Sequence, residues 1–487
     1  MAVPVLPCFK HSTFYLTMPA SPALRCFRAA SFGRLFAVSA VFATFSTIAA
    51  PPPEAGDPMP LPMATAQPLS STAEQIFTQA RPRLLQIRTL LIAAQKQSSI
   101  GSGFLVGADG FALTNYHVVS QYALEPQTYQ LDYLAPDGTR GRLQLHAIDI
   151  ANDLAVVRLE PSDNADGAQP PRDHFTFNPS AVAGALPKGE RLFAMGNPFD
   201  LGFTIVEGTY NGLVENSYQP RTHFTGALNP GMSGGPAVTA DNRIAGVNVA
   251  KQFGGDLVSF LVPAAAAHAL VEKARHSEAM SQAGVREAIR EQLDAWQSGF
   301  FAALQEEGFR AASFGPYRAA ESSAAWFNCW ARTNSGTSTK LRVLINDASC
   351  DTRTALFLAN NMSSGQANLS HTYMKSIDLN VLQFATLVSG RMQPSLMFGP
   401  RRRYTPQQCY ENFLAPDDAH PNRPVLRVTW CARAYRDFPG LYDVAVAAVT
   451  QDNSKEALIS RLSLTGVSYP NAIAFAERFL NTLEVSR

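Results

Sequence analysis

The sequence has little charge and no excess of either sign. Charged residues make up 16% of the 487 positions, and 40 lysines and arginines nearly balance 39 aspartates and glutamates. Proteins that bind nucleic acid or an anionic membrane surface usually carry a basic excess, so neither partner is indicated. The apolar fraction of 46% is ordinary for a globular protein, and the length predicts two or three domains.

Long apolar runs are scarce too, and the one near the N-terminus is typical of an export signal. Arginines at positions 25, 28 and 34 precede an apolar stretch of small residues over 35–50, and cleavage after Ala49 would remove a leader of residues 1–49. The stretch is short for a membrane span, although an uncleaved anchor is the alternative. Residues 50–70, rich in Pro and Ala, predict a disordered linker. We therefore expect an exported protein, periplasmic or secreted, with no integral membrane segment after cleavage.

Cysteines are few, and their spacing is not that of metal-binding cysteines. The sequence has six cysteines, no Cys-x-x-Cys and no paired histidines, so we expect disulfides rather than the alternative, a metal site. Two cysteines lie in the leader, and the even number that remains in an exported chain predicts two disulfides. The loops that they close would be similar in length, and each pair flanks a strand: Cys329 with Cys350, and Cys409 with Cys431.

The most informative stretch is Gly231-Met232-Ser233-Gly234-Gly235-Pro236. The glycine before the serine lets the backbone fold tightly, and the glycines after it leave room for a substrate backbone. The N–H groups of Gly231 and Ser233 would converge on one point, which is what an oxyanion hole requires. Ser233 is therefore the candidate nucleophile, and Gly231 and Ser233 are the candidate oxyanion-hole donors.

Two partners for this serine lie upstream, each at the edge of an apolar strand. His117 ends the run Leu113-Thr114-Asn115-Tyr116-His117, and Asp153 begins the run Asp153-Leu154-Ala155-Val156-Val157. A histidine takes the serine proton and returns it to the leaving amine, while a carboxylate holds the imidazole tautomer. Each residue alone is more often structural, but the order His, Asp, Ser predicts a chymotrypsin-type triad of His117, Asp153 and Ser233.

Residues from about 72 to 275 resemble the bacterial trypsin-like serine peptidases of the HtrA/Deg type. The resemblance rests on the segments around the three triad residues and on Gly101-Ser102-Gly103-Phe104, Ala194-Met195-Gly196-Asn197-Pro198 and Ile244-Ala245-Gly246-Val247-Asn248. It implies an all-β, chymotrypsin-like double β-barrel over residues 71–275, with the triad in the cleft between two six-stranded barrels. It also implies endopeptidase activity on protein or peptide substrates, with no metal or organic cofactor.

The resemblance also implies where a substrate binds. An extended peptide would add a strand along the backbone near Asn248 and Ala250. Ala227 and Leu228, which precede the nucleophile, would line the pocket for the side chain of the cleaved residue, together with a strand near Phe260. The sequence places no acidic residue there to bind Lys or Arg, so we expect a small or aliphatic side chain.

Two departures from the family pattern bear on regulation. Met232 stands where these proteins usually carry Asn or Asp, so it cannot pair with a new N-terminus, and what holds the oxyanion loop open is an open question. After the protease region, the Gly-rich carboxylate-binding loop of a PDZ domain is missing. The alternative to an active endopeptidase is therefore a latent or inactive protease scaffold whose C-terminal region binds a partner.

Residues 281–487 change in pattern and predict an α+β region. Apolar residues at helical spacing predict a long helix with a core or docking face formed by Ile289, Leu293, Trp296, Phe300, Phe301 and Leu304. Each cysteine pair is followed by an apolar strand and a helical stretch. This predicts two repeats, over about 320–400 and 401–487, with chance similarity as the alternative. The aromatic residues around Cys329 are interpreted as core packing, with an exposed binding patch as the alternative.

Overall fold

The computed structural model describes most of the chain after residue 70. The described residues are 71–160, 172–249, 257–322, 324–336, 340–352, 354–392, 397 and 399–486. The predicted leader and linker lie outside them, as does Ala250. No helix among the described residues combines the length and the apolar character that a membrane crossing requires.

The first barrel is formed by six antiparallel strands between residues 84 and 159. Its elements, with the helix before it, are α1 (Ser71–Ala80), β1 (Leu84–Leu91), β2 (Lys96–Leu105), β3 (Phe111–Thr114), α2 (Tyr116–Leu124), β4 (Tyr129–Leu134), β5 (Arg140–Asp149) and β6 (Leu154–Leu159). Strand β1 pairs with both β2 and β4, which closes the sheet. Strands β1, β3 and β6 are buried along most of their length, and Ile87 and Leu113 are fully buried. Helix α2 begins directly after β3 and presents His117 at the barrel rim.

A second six-stranded barrel follows between residues 191 and 263. Its elements are α3 (Pro179–Val182), β7 (Arg191–Gly196), β8 (Thr204–Leu213), β9 (Thr222–Phe224), β10 (Pro236–Val238), β11 (Ile244–Val249), β12 (Ser259–Pro263) and α4 (Ala264–Arg275). The strand order β10-β11-β12-β9-β8-β7 is closed by pairing of β7 with β10. Ser233 lies in the loop between β9 and β10. The two closed barrels confirm the predicted chymotrypsin-like double barrel.

The C-terminal region is built around a large antiparallel sheet with helices packed on it. Its elements are α5 (Gln282–Glu307), β13 (Phe309–Phe314), β14 (Tyr317–Ser322), β15 (Asn328–Thr333), β16 (Val343–Asp351), β17 (Leu356–Ala359), β18 (Met362–Ser364), β19 (Gln366–Ser376), α6 (Val381–Arg391), β20 (Gln408–Leu414), β21 (Leu426–Ala434), β22 (Leu441–Thr450), β23 (Glu456–Ser468), α7 (Tyr469–Asn481) and β24 (Glu484–Val485). Seven strands form the sheet in the order β15-β16-β19-β23-β22-β21-β20, and β13-β14-β24 form a smaller one. This is the predicted α+β architecture.

Two disulfides join the edge strands of the large sheet to their neighbours. Cys329 on β15 is bonded to Cys350 on β16, and Cys409 on β20 is bonded to Cys431 on β21, the pairing expected from the sequence. In both cases the two cysteines are direct cross-strand partners. Each disulfide therefore ties an exposed edge strand to the buried part of the sheet.

The two halves of this region share one sheet instead of forming separate sheets. Strand β19 from the first half pairs along ten residues with β23 from the second half. The similarity between the halves ends at the strand after each cysteine pair. Strand β22 stays in the large sheet, whereas β17 leaves it and forms a hairpin with β18. The boundaries of the two repeats remain a prediction.

The long helix α5 joins the C-terminal region to the first barrel. All six residues of the predicted apolar stripe are buried, each at most 9% exposed, which confirms a core or docking face. Gln292 on the same helix caps the end of β5: its amide accepts a hydrogen bond from Ile150 N at 2.8 Å and donates one to Ile148 O at 2.9 Å. The helix thus positions the turn that carries Asp153.

A second contact between the two regions is aromatic. The ring of Tyr218, in the loop between β8 and β9, lies 5.5 Å from Trp296, 5.1 Å from Phe300 and 5.3 Å from Trp326, measured between ring centroids. Trp326 is partly buried and packs against the core, in line with the predicted core packing, whereas Trp330 is 68% exposed. Through Tyr218 the C-terminal region holds a loop of the second barrel as well as the first barrel.

Candidate active site

His117 and Asp153 are joined by two hydrogen bonds. Oδ2 of Asp153 lies 2.7 Å from Nδ1 of the His117 ring, and Oδ1 accepts a hydrogen bond from the backbone N of His117 at 2.9 Å. Both carboxylate oxygens are thereby used on the same residue. With Nδ1 held by the carboxylate, Nε2 is the ring atom left to exchange a proton with another group.

The backbone of Asp153 is held in an unusual conformation. Its φ of 60° is in the left-handed region, which costs a non-glycine residue about 1–3 kcal/mol. Its carbonyl oxygen compensates by accepting hydrogen bonds from Asn115 Nδ2 at 2.8 Å and from Tyr116 N at 3.2 Å. These bonds join the Asp153 turn to the first turn of α2, so the relative position of Asp153 and His117 is set by backbone as well as side chain.

Electrostatics around the pair favour a basic imidazole. Burial lowers the pKa of His117, but the charge of Asp153 and its hydrogen bond raise it by more, so that the pKa lies above its ordinary value. Arg221, the residue directly before β9, also lies near Asp153 and Asp149. Burial lowers the pKa of Arg221, and the charges of Asp153 and Asp149 act in the opposite direction.

The Ser233 loop is held from the first barrel by Ser102. The hydroxyl of Ser102 donates a hydrogen bond to Gly231 O at 2.7 Å and accepts one from Asn197 N at 2.9 Å. Its backbone N donates to Ser233 O at 2.8 Å. Because Ser102 is fully buried within β2, it connects the first barrel directly to the residues on both sides of Met232 in the Ser233 loop.

The N–H groups of the predicted oxyanion hole have no acceptor among the described residues. Gly231 has a φ of 96°, and a Cβ there would lie 2.4 Å from Asn197 O, so only glycine fits. The carbonyl before it, Pro230 O, accepts a hydrogen bond from Phe199 N, which points the Gly231 N–H the other way. Within the described part of the chain, neither this N–H nor that of Ser233 is used in a hydrogen bond.

Met232 anchors the same loop by packing. Its side chain is 1% exposed and lies in the apolar cluster of the second barrel with Leu192, Phe224 and Leu261. The carbonyl oxygen of Met232 accepts hydrogen bonds from Gly235 N and Asn248 Nδ2. Burial of the Met232 side chain therefore anchors the loop, in place of the polar pairing that an Asn or Asp would make.

The segments that carry Ser233 and His117 are in close contact. A Cβ on Gly234 would lie 2.8 Å from Asn115 N, two residues before His117, and a Cβ on Gly101 would meet both Val118 and Ser233 O. Among the described residues, Ser233 Oγ forms no hydrogen bond with His117. Hydrogen bonds between a nucleophile and its base are often long without substrate. The missing hydrogen bond is therefore compatible with the roles predicted for Ser233 and His117.

The predicted substrate-binding residues are not all placed to contact a ligand. Ala227 is exposed and precedes the Ser233 loop in the chain. Leu228 is instead 3% exposed in the core of the second barrel, so it supports the pocket wall and does not line the opening. Asn248 is fully buried, and its N–H and C=O are taken by Gly235 and Gly234, which makes it a support of the loop. Ala250 lies outside the described residues.

In the part of the chain that the structure describes, no group of three or more His, Cys, Asp or Glu side chains around Ser233 is close enough to share a metal ion. In the described ranges, the one cluster of His, Cys, Asp or Glu atoms close enough to share an ion is Glu321, Cys329 and Cys350. Its two sulfurs form a disulfide and are not thiolates, so the cluster lacks the ligands that a soft metal requires.

The comparisons with known proteins agree with this geometry. Residues 101–247 match the family model of the trypsin-like peptidase domain. A probable periplasmic serine endoprotease, DegP-like, of Marinomonas sp. is 29% identical over 200 residues, which are 39% of this chain and 38% of the relative. A protein of the same description from Brucella suis biovar 1 is 31% identical over 180 residues, 36% of this chain and 32% of the relative. The chain thus spans less than two fifths of the length of these curated relatives.

Solved structures also match part of the chain. The crystal structure of the serine endoprotease from Yersinia pestis is 22% identical, with a TM-score of 0.34, and the match covers 42% of this chain and 67% of that one. From the match to the family model and the closed barrels, the chain contains a trypsin-like peptidase domain, with DegP-like serine endoproteases among its relatives.

Proposed function

We propose that the protein is an exported serine endopeptidase. The observation that carries the proposal is the pair His117–Asp153, bonded at Nδ1, beside a serine loop with two unused N–H groups. These are the parts that acyl transfer by a serine nucleophile needs: a base with its Nε2 available, and donors for an oxyanion. The protease domain is proposed to comprise residues 71–275, and the C-terminal region residues 281–487.

The proposed reaction has two steps. Ser233 Oγ attacks the carbonyl carbon of the scissile peptide bond while Nε2 of His117 takes the hydroxyl proton, and the N–H groups of Gly231 and Ser233 bind the oxyanion. His117 then donates the proton to the leaving amine nitrogen, which breaks the C–N bond and leaves an acyl-enzyme. In the second step water attacks the ester carbonyl carbon while Nε2 of His117 takes a proton from the water. His117 then returns this proton to Ser233 Oγ, the C–O ester bond breaks, and the carboxylic acid product leaves. Asp153 stabilises the imidazolium in both steps.

Export follows from independent features. The relatives are named periplasmic, and the N-terminal sequence has the pattern of an export signal. The two disulfides suit an oxidising compartment. We therefore place the mature protein in the periplasm or outside the cell, where it acts on protein or peptide substrates.

The direct test is labelling of the purified protein with a fluorophosphonate, which reacts with an activated serine. The parent protein should be labelled, and Ser233→Ala and His117→Ala should not, while both variants keep the parent's circular dichroism spectrum. The variants should also lose casein cleavage by several orders of magnitude. A folded parent that is not labelled would contradict the proposal and favour the second candidate, a latent or inactive scaffold.

That second candidate rests on one observation. Ser233 is 4% exposed and has no hydrogen bond to His117 among the described residues. A scaffold that needs a partner at its C-terminal region to complete the site would show weak labelling that rises when the partner is added.

A further inference from the structure

A hairpin of the C-terminal region lies against the candidate catalytic histidine. Its strands are β17 and β18, and its first strand carries Phe357. The Phe357 ring centroid is 6.1 Å from that of His117, with the ring planes at 72°, and 6.2 Å from that of Tyr116. Tyr116 also donates a hydrogen bond from its hydroxyl to Leu358 O at 3.0 Å, across 242 residues of sequence. An element outside the trypsin-like domain thus forms part of the surroundings of His117.

The hairpin is held in place through its backbone. Tyr404 donates its hydroxyl hydrogen to Asn361 O at 2.7 Å, and Tyr435 donates to Ser363 O at 2.9 Å. Ser364, which follows Ser363 at the end of β18, donates a hydrogen bond from its Oγ to Gly466 O at 2.6 Å. None of these bonds involves the side chain of Phe357. The hairpin is therefore a fixed wall, and changing Phe357 alone leaves its supports intact.

Phe357 faces the opposite side of its strand from its neighbours. Leu356 and Leu358 are at most 1% exposed, in the shared core, whereas Phe357 is half-buried. Successive side chains of a strand alternate between its two faces, and the Phe357 ring lies at the edge of that core, where it packs against Tyr116 and His117. The His117 side chain is itself 28% exposed. Two neighbouring rings therefore each keep part of their surface in contact with solvent.

An extended substrate in the cleft would present alternate side chains to opposite walls. Ser233 belongs to the second barrel and His117 to the first. A substrate residue acylated on Ser233 directs its side chain toward the second barrel, near Ala227, and the residues on either side direct theirs toward the first. There the wall consists of the imidazole and the Phe357 ring, which is apolar and offers no charged group to a substrate.

We propose that Phe357 is a specificity-determining residue, which makes the enzyme prefer a large apolar side chain next to the acylated residue. This inference rests on the proposed function. Contact with the Phe357 ring removes apolar surface from water in the bound substrate, which favours leucine or phenylalanine over glycine. The C-terminal region would thereby contribute to substrate choice directly, through a side chain in the cleft.

The test is a set of fluorogenic peptides that carry Gly, Ala, Leu or Phe at each residue flanking the acylated one. The parent should prefer Leu or Phe to Gly at one flanking position. In Phe357→Ala this preference, measured as the ratio of kcat/KM for the Leu or Phe peptide to kcat/KM for the Gly peptide, should fall about tenfold. Phe413→Ala, which removes a ring that is 59% exposed on β20, is the matched control and should leave this ratio and the labelling rate at the parent level.

The outcomes separate this inference from the proposed function. A parent that is not labelled contradicts the proposed function and this inference with it. A labelled and active parent whose preference is the same in Phe357→Ala contradicts the inference alone. If Phe357→Ala does not fold, Phe357→Leu decides: selection of phenylalanine over glycine should weaken, and an unchanged ratio overturns the proposal.

Discussion

Replacing Ser102 by alanine tests whether this hydroxyl holds the oxyanion loop. The change leaves Asn197 N, in a buried hydrogen bond, without its acceptor, and Gly231 O, in a partly buried one, without its donor. Each buried polar group that loses its partner costs about 1–3 kcal/mol. The sum is about 2–6 kcal/mol if neither group finds a new partner, a large part of the roughly 5–15 kcal/mol that stabilises a typical domain.

Part of this free-energy cost should appear as lost activity. We expect the loop to rotate the peptide between Gly231 and Met232, because the Gly231 carbonyl has lost its hydrogen-bond donor. That peptide carries the Met232 N–H, so its rotation breaks the hydrogen bond from Met232 N to Asn229 O and shifts the N–H groups of Gly231 and Ser233 on either side. Losing one oxyanion donor typically lowers kcat by about 10²–10³-fold. We expect Ser102→Ala to be labelled by a fluorophosphonate about a hundredfold more slowly than the parent, and to unfold at lower urea concentration.

The matched control is Ser98→Ala on the same strand, where the serine is exposed. It should label and unfold like the parent. If folded Ser102→Ala reacts at the parent rate, the hydroxyl does not position the loop, and the packing of Met232 alone must be sufficient. If Ser98→Ala slows labelling as much, the effect belongs to strand β2 in general and not to the two hydrogen bonds.

Two further predictions concern pH and the disulfides. Since Asp153 raises the pKa of His117 and the base must be neutral, kcat/KM should fall on the acid side through a pKa above the ordinary value of about 6.5. In Asp153→Asn that acid limb should move to lower pH, besides a large drop in kcat, and an unmoved limb would show that another group titrates. Removing the Cys409–Cys431 bond by a double change to serine should lower the free energy of unfolding by about 2–4 kcal/mol. Urea titration without reductant measures this loss, and an unchanged midpoint would mean that the sheet holds β20 without the bond.

The parts of the molecule that could be predicted from sequence are those encoded within short segments. Local sequence patterns identify three segments that the proposed reaction requires: the Ser233 loop, the run ending in His117 and the strand beginning at Asp153. The barrels follow from short apolar runs between turns, and the disulfides from cysteines at matching separations. In each case the residues that determine the structure are near one another in the chain, so spacing carries the information.

The rest depends on contacts between distant segments. The placement of Phe357 beside His117 requires β17 to leave the large sheet, whereas the analogous β22 stays in it, and no local pattern distinguishes them. The burial of Leu228 and Asn248 depends on how the serine loop sits on the second barrel. Ser102 was part of a recognisable Gly-Ser-Gly run, but its two hydrogen bonds appear only when the barrels are brought together.

The apolar core of the first barrel continues without a break into the C-terminal region. One cluster of buried side chains runs from Leu85 and Tyr116 through the α5 stripe to Phe479 on α7. Denaturation should therefore be cooperative across both regions, because neither can lose its packing without exposing the other's apolar surface. A chain cut near residue 275 would leave that surface in water and should aggregate, so the smallest unit expected to fold is much longer than the peptidase domain.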